Sequence, residues 1–174
     1  MTHVRHARDT DREAIAGIYN EGIREGRSTF ETEPRTAADI DLWLESTTHP
    51  VLVGERAGGI VGWARVAPYS PRPCYAGVVE GSVYVLARER GRGLGSRLVA
   101  ALSEEAERAG FHKIVGRLFA DNESSRRLVL KHGFREVGTH LRHGRLDGKW
   151  RDVVVVELLL GDAAGGCSGV RRAR

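Results

Sequence analysis

The sequence lacks several features that define other classes of protein. It has only two cysteines, Cys74 and Cys167, which share no metal-ligand spacing and are predicted to be two ordinary thiols. No apolar run reaches the roughly 18 residues that a membrane-spanning helix needs, and the N-terminal stretch MTHVRHARDTDRE is too polar for a secretory signal. These absences predict a cytoplasmic protein, and 174 residues are enough for one domain.

Acidic and basic residues alternate along the chain rather than forming separate blocks. Lysine and arginine number 27 against 23 aspartate and glutamate, which gives a net charge of +4. A nucleic-acid-binding protein usually concentrates basic charge on one face and interleaves it with aromatic residues, whereas only 6% of this sequence is aromatic. The composition therefore predicts neither a nucleic-acid partner nor a membrane partner, and the slight positive charge suits an anionic ligand.

Hydrophobic periodicity predicts strands and helices in the order β-α-α-β-β-β-α-β-α-β-β. VLVGE and AGGIVGWARV form a hairpin through a glycine turn, and Thr36 and Asp39 are spaced as a capping box. Because hairpins and crossovers are mixed, we expect one α/β (α+β) domain over residues 1–160. Its sheet should be mixed, mostly antiparallel and twisted, with helices on both faces. Residues 161–174 have low-complexity composition and are predicted to be a disordered tail.

The stretch RERGRGLGSRL, residues 88–98, places three glycines at alternate positions between a predicted strand and a predicted helix. Its spacing matches neither the P-loop nor the dinucleotide fingerprint. Glycines let consecutive N–H groups converge on one point, and the helix start adds a positive potential. These features predict a pyrophosphate cradle, over which two arginines can close; a tight turn whose glycines serve only packing is the alternative. The residues of the predicted cradle are Arg90, Gly91, Arg92, Gly93, Leu94, Gly95 and Ser96.

Two stretches of the sequence resemble motifs of one superfamily. SVYVLARERGRGLG resembles the acetyl-CoA loop of the GNAT N-acetyltransferases, in which Gln or Arg is followed by two residues, Gly, one residue, and Gly or Ala. ADNESSRRLVLKHGF is similar to the second motif of that superfamily. The resemblance implies acetyl-CoA as the co-substrate and a sheet that splays apart at its central strands.

The same resemblance implies specific contacts with acetyl-CoA. Asn122 is expected to meet the pantetheine arm, and Ser125 and Lys131 fall where the family often touches the cofactor. A strand can bind an extended ligand through its backbone when its neighbour splays away. The backbone of three residues is expected to pair with the pantetheine in this way: Val83, Tyr84 and Val85.

Four further stretches narrow the resemblance to the phosphinothricin or methionine sulfone/sulfoximine acetyltransferase branch. They are IYNEGI, STFETEP, VEGSVYV and GKWRDVVVVEL, and the similarity extends over almost all of residues 4–160. It implies a homodimeric N-acetyltransferase that moves an acetyl group to the primary amine of a small molecule, an amino acid or an analogue. The sequence departs from the branch at Ala76 and Val78, where relatives carry a basic and a small hydroxyl residue, and Val129 stands where many GNAT enzymes have a tyrosine acid.

Acetyl transfer to an amine needs a base, because an ammonium ion has no lone pair with which to attack a thioester. Glu80 is the predicted base: it begins a strand, shares one face with Ser82 and Tyr84, and is marked by the family resemblance. Pairing with an arginine is the alternative role for Glu80. Tyr84 is the candidate acid, with core packing as its alternative, and an N–H group near Val85 is expected to contribute to an oxyanion site.

Four residues are predicted to contact the acceptor. Arg72, in a proline-bracketed loop, is suited to bind a carboxylate through two N–H groups, and Tyr75 matches the branch in the same loop. Phe30 is expected to reach the cleft from the loop after the first helix, together with Glu33. Trp150 is predicted to line the acceptor pocket or to lie in a subunit interface, with packing in the core as its alternative. DVVVVELLL would supply an apolar strand for that interface, although a central buried strand has the same pattern.

The sequence leaves other functions open. A GNAT enzyme that acts on a protein N-terminus or on lysine would need an open groove, which the loop over residues 68–77 is expected to cover. A non-catalytic acyl-CoA-binding sensor would keep the glycine loop without needing Glu80. A dinucleotide-binding domain conflicts with the hairpins and with the glycine spacing. His140 and His143 lie three residues apart without a completing ligand, so no metal site is predicted.

Overall fold

Seven strands form one sheet in the computed structural model, which describes residues 2–165. The strands are β1 (Thr2–His6), β2 (Val51–Arg56), β3 (Gly59–Pro68), β4 (Val78–Val85), β5 (Lys113–Phe119), β6 (Arg135–Leu146) and β7 (Lys149–Leu159). Their order across the sheet is β1-β2-β3-β4-β5-β7-β6. Every neighbouring pair is antiparallel except β4 and β5, so the predicted mixed, mostly antiparallel sheet is confirmed.

Helices cover both faces of the sheet, as predicted. They are α1 (Arg12–Glu25), α2 (Ala37–Leu44), α3 (Leu94–Arg108), α4 (Glu123–Lys131) and the short α5 (Asp162–Gly165). On one face, Leu98 of α3 packs in the same buried cluster as Val79 of β4. On the other face, Ile15 of α1 and Ile40 of α2 pack with Trp63 of β3. Alternate side chains of the central strands therefore enter two separate cores.

Local hydrogen bonds fix the segment between α1 and α2. The Thr36 hydroxyl accepts a hydrogen bond from the Asp39 N–H, and the Asp39 carboxylate accepts one from the Thr36 N–H at 2.7 Å, which confirms the predicted capping box. The Asn20 side chain donates to the Arg35 carbonyl at 2.8 Å and accepts from the Arg35 N–H at 2.7 Å. These bonds hold the C-terminal end of the segment, residues 35 and 36, against α1 and at the start of α2.

The parallel pair β4–β5 is short. Only residues 78–80 of β4 pair with residues 113–115 of β5, and beyond them the two strands diverge. Gly81 lies where they part, and a Cβ atom there would be 2.9 Å from Ile114 Cγ2. The splayed centre of the sheet that the resemblance implied is therefore present.

β7 is an interior strand, hydrogen-bonded to β5 on one side and to β6 on the other. The side chains of Val153, Val154 and Val156 are buried. This position accounts for the apolar DVVVVELLL stretch without a subunit interface, and the outer edge at this end of the sheet belongs to β6 instead.

The C-terminal end of the described chain is the short helix α5, which follows Gly161. The predicted disorder of residues 161–174 stays a prediction, since residues 166–174, with Cys167 among them, lie outside the described residues. Cys74 is a free, exposed thiol. None of the helices within residues 2–165 combines the length and the hydropathy needed to cross a bilayer.

Alanine at Gly54 is expected to lower the free energy of unfolding by about 1–3 kcal/mol, the usual cost of overpacking a core. A Cβ atom at Gly54 of β2 would lie 2.5 Å from Cδ1 of the buried Leu94, the first residue of α3. Gly17 is the matched control, because it is exposed within α1 and has no atom within 4 Å of its added Cβ. Alanine there is expected to stabilise the helix by up to about 1 kcal/mol. Urea unfolding of both variants measures the difference, and shifts of the same sign would contradict the close approach of β2 and α3.

Candidate active site

An apolar cleft of about 80 Å³ opens between the diverging strands β4 and β5. β4 contributes Val83 to its wall and β5 contributes Gly116 and Leu118, while α3 and α4 close it from outside. Of the predicted cofactor residues, Val83 and Ser125 line this cleft. Val129, which replaces the family's tyrosine, also faces it, so that position offers no hydroxyl group.

The edge of β4 presents backbone hydrogen-bonding groups to the cleft. Leu86 donates its N–H to the Val61 carbonyl of β3 at 3.0 Å. Successive residues of a strand direct their N–H and C=O groups to opposite sides, so Val83 and Val85 direct theirs toward the cleft and Tyr84 directs its groups toward β3. Val83 is therefore placed to pair with an extended ligand through both backbone groups, and Val85 through its N–H, because Arg90 holds the Val85 carbonyl.

The glycine loop ends in the first turn of α3. The first hydrogen bond within that helix runs from the Arg97 N–H to the Gly93 carbonyl at 3.2 Å, so the N–H groups of residues 94–96 have no helical acceptor. Gly91 and Gly93 have φ angles of +74° and +83°, in the left-handed region. A Cβ atom at either glycine would have no atom within 4 Å, which means that neither glycine is required for packing. Gly95 differs, since its Cβ would lie 3.2 Å from Leu128 Cδ2.

The two arginines of the loop have different surroundings. Arg90 donates through Nε to the Val85 carbonyl at 2.9 Å and through Nη2 to Glu25 at 2.8 Å, so its guanidinium ties the loop to β4 and to α1. Arg92 is largely exposed and approaches Glu89 only at 3.5 Å. Glu89 itself is held by Arg56, whose hydrogen bond keeps the pKa of the Glu89 carboxyl below its usual range. Arg92 is therefore the loop arginine that is free to turn toward a phosphate.

The start of α4 faces the cleft from the side of β5. Asn122 caps this helix, because its side-chain oxygen accepts a hydrogen bond from the Ser125 N–H at 3.2 Å. Its side-chain NH₂ donates to the Arg27 carbonyl at 3.3 Å and so links α4 to the segment after α1. Lys131 is exposed at the end of α4, and Ser96 lies next to the helix end through a 2.7 Å contact with His132.

Glu80 pairs with an arginine that the sequence analysis did not single out. Arg117 of β5 contacts the Glu80 carboxylate at 2.6 Å, and the Glu80 side chain is 32% exposed. This ion pair is the alternative role predicted for Glu80. The Arg117 guanidinium lies 5.9 Å from the ring of Tyr69, which in turn packs edge-on against Tyr75 at 5.7 Å. Through these contacts Tyr75 lies at the same end of β4 as Glu80.

The loop that carries Tyr75 is exposed. Arg72 precedes the 3-10 turn Pro73–Tyr75, and the Arg72 side chain has no hydrogen bond or ion pair to any described residue. Ala76 ends the turn, and Val78 is buried at the start of β4. Of the two positions at which the sequence departs from the branch, Ala76 therefore faces solvent and Val78 lies in the core.

Tyr84 belongs to an aromatic cluster on the α1–α2 face. Its ring stacks on Trp63 at 4.7 Å and meets Tyr19 edge-on at 4.9 Å. The hydroxyl donates to the Ser28 carbonyl at 3.4 Å. Burial raises the pKa of Tyr84 well above its usual value, with the nearby Tyr19 adding to the effect, so the phenol is a weaker acid than an ordinary tyrosine.

A second cavity, of about 270 Å³, lies on the α1–α2 face of the sheet; Glu80 does not line it but precedes a lining residue of β4. Ser82 reaches it from β4 and stands two residues after Glu80 on the same face of the strand. The remaining lining residues are Tyr19, Glu31, Arg35, Asp39, Leu42, Trp43, Trp63 and Arg65. The sequence analysis missed this cavity. The sequence pattern that could have indicated this cavity is the alternation in GWARV, which places Trp63 and Arg65 together on the face opposite to Ala64.

Phe30 and Trp150 line neither the cleft nor the second cavity. The Phe30 ring packs edge-on against Phe119 of β5 at 4.7 Å, and a Cβ atom at Gly144 would lie 2.7 Å from that ring. Trp150 is 53% exposed at the start of β7, with the Arg145 guanidinium 4.9 Å from its ring. Within residues 2–165, no three His, Cys, Asp or Glu side chains form a group that could hold a metal ion.

Comparison with known families identifies the chain. A model of the acetyltransferase (GNAT) family matches residues 15–134, a range that contains the glycine loop, the diverging strands and α4. The chain belongs to the acetyltransferase (GNAT) family. The enzyme class and the superfamily predicted from the glycine loop are therefore confirmed, and members of this family take their acetyl group from acetyl-CoA.

The acetyltransferase also matches characterised relatives along almost its whole length. It is 36% identical over 162 residues to the phosphinothricin N-acetyltransferase of Streptomyces coelicolor, covering 88% of this chain and 94% of the relative. It is 31% identical over 161 residues to the L-methionine sulfoximine/L-methionine sulfone acetyltransferase of Pseudomonas aeruginosa, covering 90% and 94%. These are relatives of the branch that the sequence was predicted to resemble.

Solved structures share the fold of the acetyltransferase. The phosphinothricin acetyltransferase of Sinorhizobium meliloti in complex with acetyl-CoA superposes with a TM-score of 0.89 at 26% identity, over 98% of this chain and 96% of that chain. The ribosomal-protein-alanine N-acetyltransferase of Brucella melitensis superposes with a TM-score of 0.87 at 33% identity, over 91% and 99%. Enzymes named for a small-molecule acceptor and for a protein acceptor thus share this fold.

Valine at Gly93 is expected to abolish measurable acetyl-CoA binding while leaving a folded protein. The left-handed φ of Gly93 sets the direction of the free N–H groups at the start of α3, and a β-branched residue strongly disfavours that conformation. Gly58 offers a matched control, since it has φ +79° and equally open space but lies in the β2–β3 turn. Valine at Gly58 should lower the melting temperature similarly and leave acetyl-CoA affinity unchanged. Calorimetric titration measures the acetyl-CoA affinity of both variants. Wild-type affinity in Gly93→Val would contradict the predicted pyrophosphate cradle.

Proposed function

We propose that the acetyltransferase acetylates the primary amine of a small molecule, an amino acid or an analogue of one. The observation that carries this proposal is the 270 Å³ cavity on the α1–α2 face of the sheet. Pockets for drug-sized ligands begin at about 300 Å³, so this cavity suits a smaller molecule. Two relatives of similar length are named for phosphinothricin and for methionine sulfoximine or methionine sulfone, which supports the same class of acceptor.

Acetyl-CoA is proposed to lie across the cleft between β4 and β5. Its pyrophosphate would be held by the free N–H groups of residues 94–96 and by Arg92, and its pantetheine by the backbone of Val83 and Val85. Asn122, Ser125 and Lys131 contribute the opposite wall. The thioester that acetyl-CoA supplies is the activated acyl group of the reaction.

Glu80 is proposed to accept the proton of the acceptor amine, directly or through one water molecule. The amine nitrogen attacks the thioester carbonyl carbon, so a carbon–nitrogen bond forms and the carbon–sulfur bond breaks. CoA leaves as a thiolate, which takes a proton from Tyr84 or from water. The Val85 N–H, on the open edge of β4, is placed to donate a hydrogen bond to the oxyanion that develops at the carbonyl. Phe30, Arg72, Tyr75 and Trp150 remain the predicted acceptor contacts.

Two other functions predict different results. An enzyme acting on a protein N-terminus has a structural counterpart in the enzyme of Brucella melitensis. An acyl-CoA sensor would bind acetyl-CoA without turnover. An assay of free CoA thiol release distinguishes the proposed function from these two alternatives. The acceptors tested are phosphinothricin, methionine sulfone, methionine sulfoximine, the common amino acids, polyamines and N-terminal peptides. Turnover with a single amino acid supports the proposal, turnover only with peptides favours the second function, and acetyl-CoA binding without turnover favours the third.

Glutamine at Glu80 is expected to lower kcat about 100- to 10,000-fold at neutral pH, the usual contribution of a general base. Activity should partly return at high pH, because the neutral fraction of the acceptor amine then rises without help from the enzyme. Unchanged acetyl-CoA affinity in the same variant shows that the cleft is intact. A pH–rate profile that overlays the wild type would remove Glu80 from the mechanism. Phenylalanine at Tyr84 in the same assay separates an acid, whose loss lowers kcat, from a packing residue, whose loss lowers the melting temperature.

The cytoplasmic location of the protein stays a prediction from the sequence.

A homodimer is proposed from the apolar surface of the β6–β7 hairpin. β6 is an edge strand, and three large apolar side chains are exposed on this hairpin: Val137, Leu141 and Trp150. Exposed apolar residues clustered on one element are typical of an interface. If Trp150 lies in that interface, a partner chain would cover this predicted acceptor contact.

Aspartate at Leu141 is expected to convert the dimer into a monomer, because a charge would be buried in the interface. Leu141 is 76% exposed in the single chain, and Leu42 is a matched leucine with 69% exposure on α2. Aspartate at Leu42 should leave the dimer intact. Sedimentation velocity of the two variants and the wild type measures the difference, and a monomeric wild type would contradict the proposal.

A further inference from the structure

The cavity on the α1–α2 face collects hydrogen-bond donors that have no acceptor. Three buried side-chain atoms within residues 2–165 lack a hydrogen-bond partner, and they are Arg35 Nε, Trp63 Nε1 and Arg65 Nη1. All three belong to residues that line this one cavity, and all three carry N–H groups. Three donor-bearing residues around one cavity give it a wall that suits a ligand with acceptor oxygens.

Arg65 is a half-buried cation of the cavity wall, and Glu80 acts on its charge without contacting it. Its guanidinium lies 3.9 Å from the centre of the Trp43 ring, and no described residue forms an ion pair or a side-chain hydrogen bond with it. Burial lowers the pKa of Arg65, yet a guanidinium stays charged at physiological pH. The face of Trp43 therefore offers Arg65 a cation–π contact but no anion.

The acidic residues around the cavity are already engaged. Glu31 pairs with Arg35 at 2.6 Å, and Asp39 accepts hydrogen bonds from Thr36 in the capping box of α2. Glu80 pairs with Arg117 across the strands. Each carboxylate near Arg65 thus has its own partner, which leaves the positive charge of Arg65 for a ligand.

The register of β3 and β4 sets the distance between Arg65 and Glu80. Arg65 pairs with Ser82, and Glu80 pairs with Ala67, so the two charged residues are diagonal neighbours on one face. Diagonal neighbours in an antiparallel pair have α-carbons about 7–8 Å apart. An α-amino acid carries its amine and its carboxylate on one carbon and fits between an acid and an arginine at this separation.

We propose that Arg65 binds the α-carboxylate of the acceptor amino acid and that the aromatic walls of the cavity hold its side chain. This inference rests on the proposed function and assigns the carboxylate contact to Arg65 rather than to Arg72. Arg65 lies on the same strand face as Glu80, whereas Arg72 lies on an exposed loop. The amine of the bound amino acid then faces Glu80, the residue that is proposed to accept its proton.

The test compares an acid with its amide. Calorimetric titration without acetyl-CoA and steady-state acetylation are each measured with L-methionine sulfone and L-leucine and with their C-terminal amides. The variants are Arg65→Met, Arg65→Lys, Arg72→Met and the surface control Arg108→Met, which is 67% exposed on α3. A hydrogen-bonded charge pair is worth about 10- to 150-fold in affinity, so the wild type should prefer the acid over the amide by that factor.

We expect the preference for the acid to disappear in Arg65→Met, through Kd and KM rather than kcat, and to persist in Arg72→Met and Arg108→Met. Arg65→Lys keeps the charge but loses the two-pronged geometry, so its preference should be intermediate. Melting temperatures show that each variant is folded, and Arg65→Lys stands in if the methionine variant is not. Loss of the preference in Arg72→Met alone, or an unchanged preference in both Arg65 variants, would overturn the inference.

The same measurements distinguish a failure of the inference from a failure of the proposed function. Binding of the acid that depends on Arg65, without any acetylation, supports the inference while the proposed function fails. Acetylation of amino acids that ignores Arg65 supports the proposed function while the inference fails.

Discussion

β4 and β5 hydrogen-bond over three residue pairs and then part, and the apolar cleft of the candidate active site lies in that gap. In a continuous sheet, the backbone groups of Val83 and Val85 would pair with β5 and would be unavailable to a ligand. The gap leaves this edge open, and α3 and α4 cover it with apolar side chains that keep the cleft enclosed. Gly81 and Gly116 keep the opening free of side chains, since a Cβ at either one would lie within 2.9 Å of a neighbouring methyl group.

Hydrogen bonds and ion pairs of arginine side chains connect the segments that surround the gap. Arg90 joins the glycine loop to the end of β4 and to α1, and Arg56 holds the adjacent Glu89. Arg117 reaches from β5 to Glu80 at the point where the two strands diverge. The guanidinium group suits this task because its several N–H donors can contact two segments at once. Arg65 stands apart from this set because no residue within the described range 2–165 forms an ion pair with it.

Features set by neighbouring residues could be predicted from the sequence, whereas features set by the register of the sheet could not. The glycine loop, the capping box of Thr36 and the order of strands and helices depend on local chemistry, and the structure agrees with them. Arg117 and Arg65 meet the site only because β5 and β3 align with β4, which no local pattern encodes. The apolar run of β7 was ambiguous for a related reason, since a central strand and an interface strand carry the same residues.

The glycines of the cradle also show what kind of constraint the loop imposes. Gly91 and Gly93 have left-handed backbone angles, yet the space where their side chains would stand is empty. The requirement at these positions is therefore one of chirality and not of volume, because an L residue fits the space but opposes the hand of the backbone. Asparagine and aspartate are the L residues that oppose it least. A D-alanine would satisfy both conditions, so the predicted phosphate cradle restricts the handedness of these two residues and not their size.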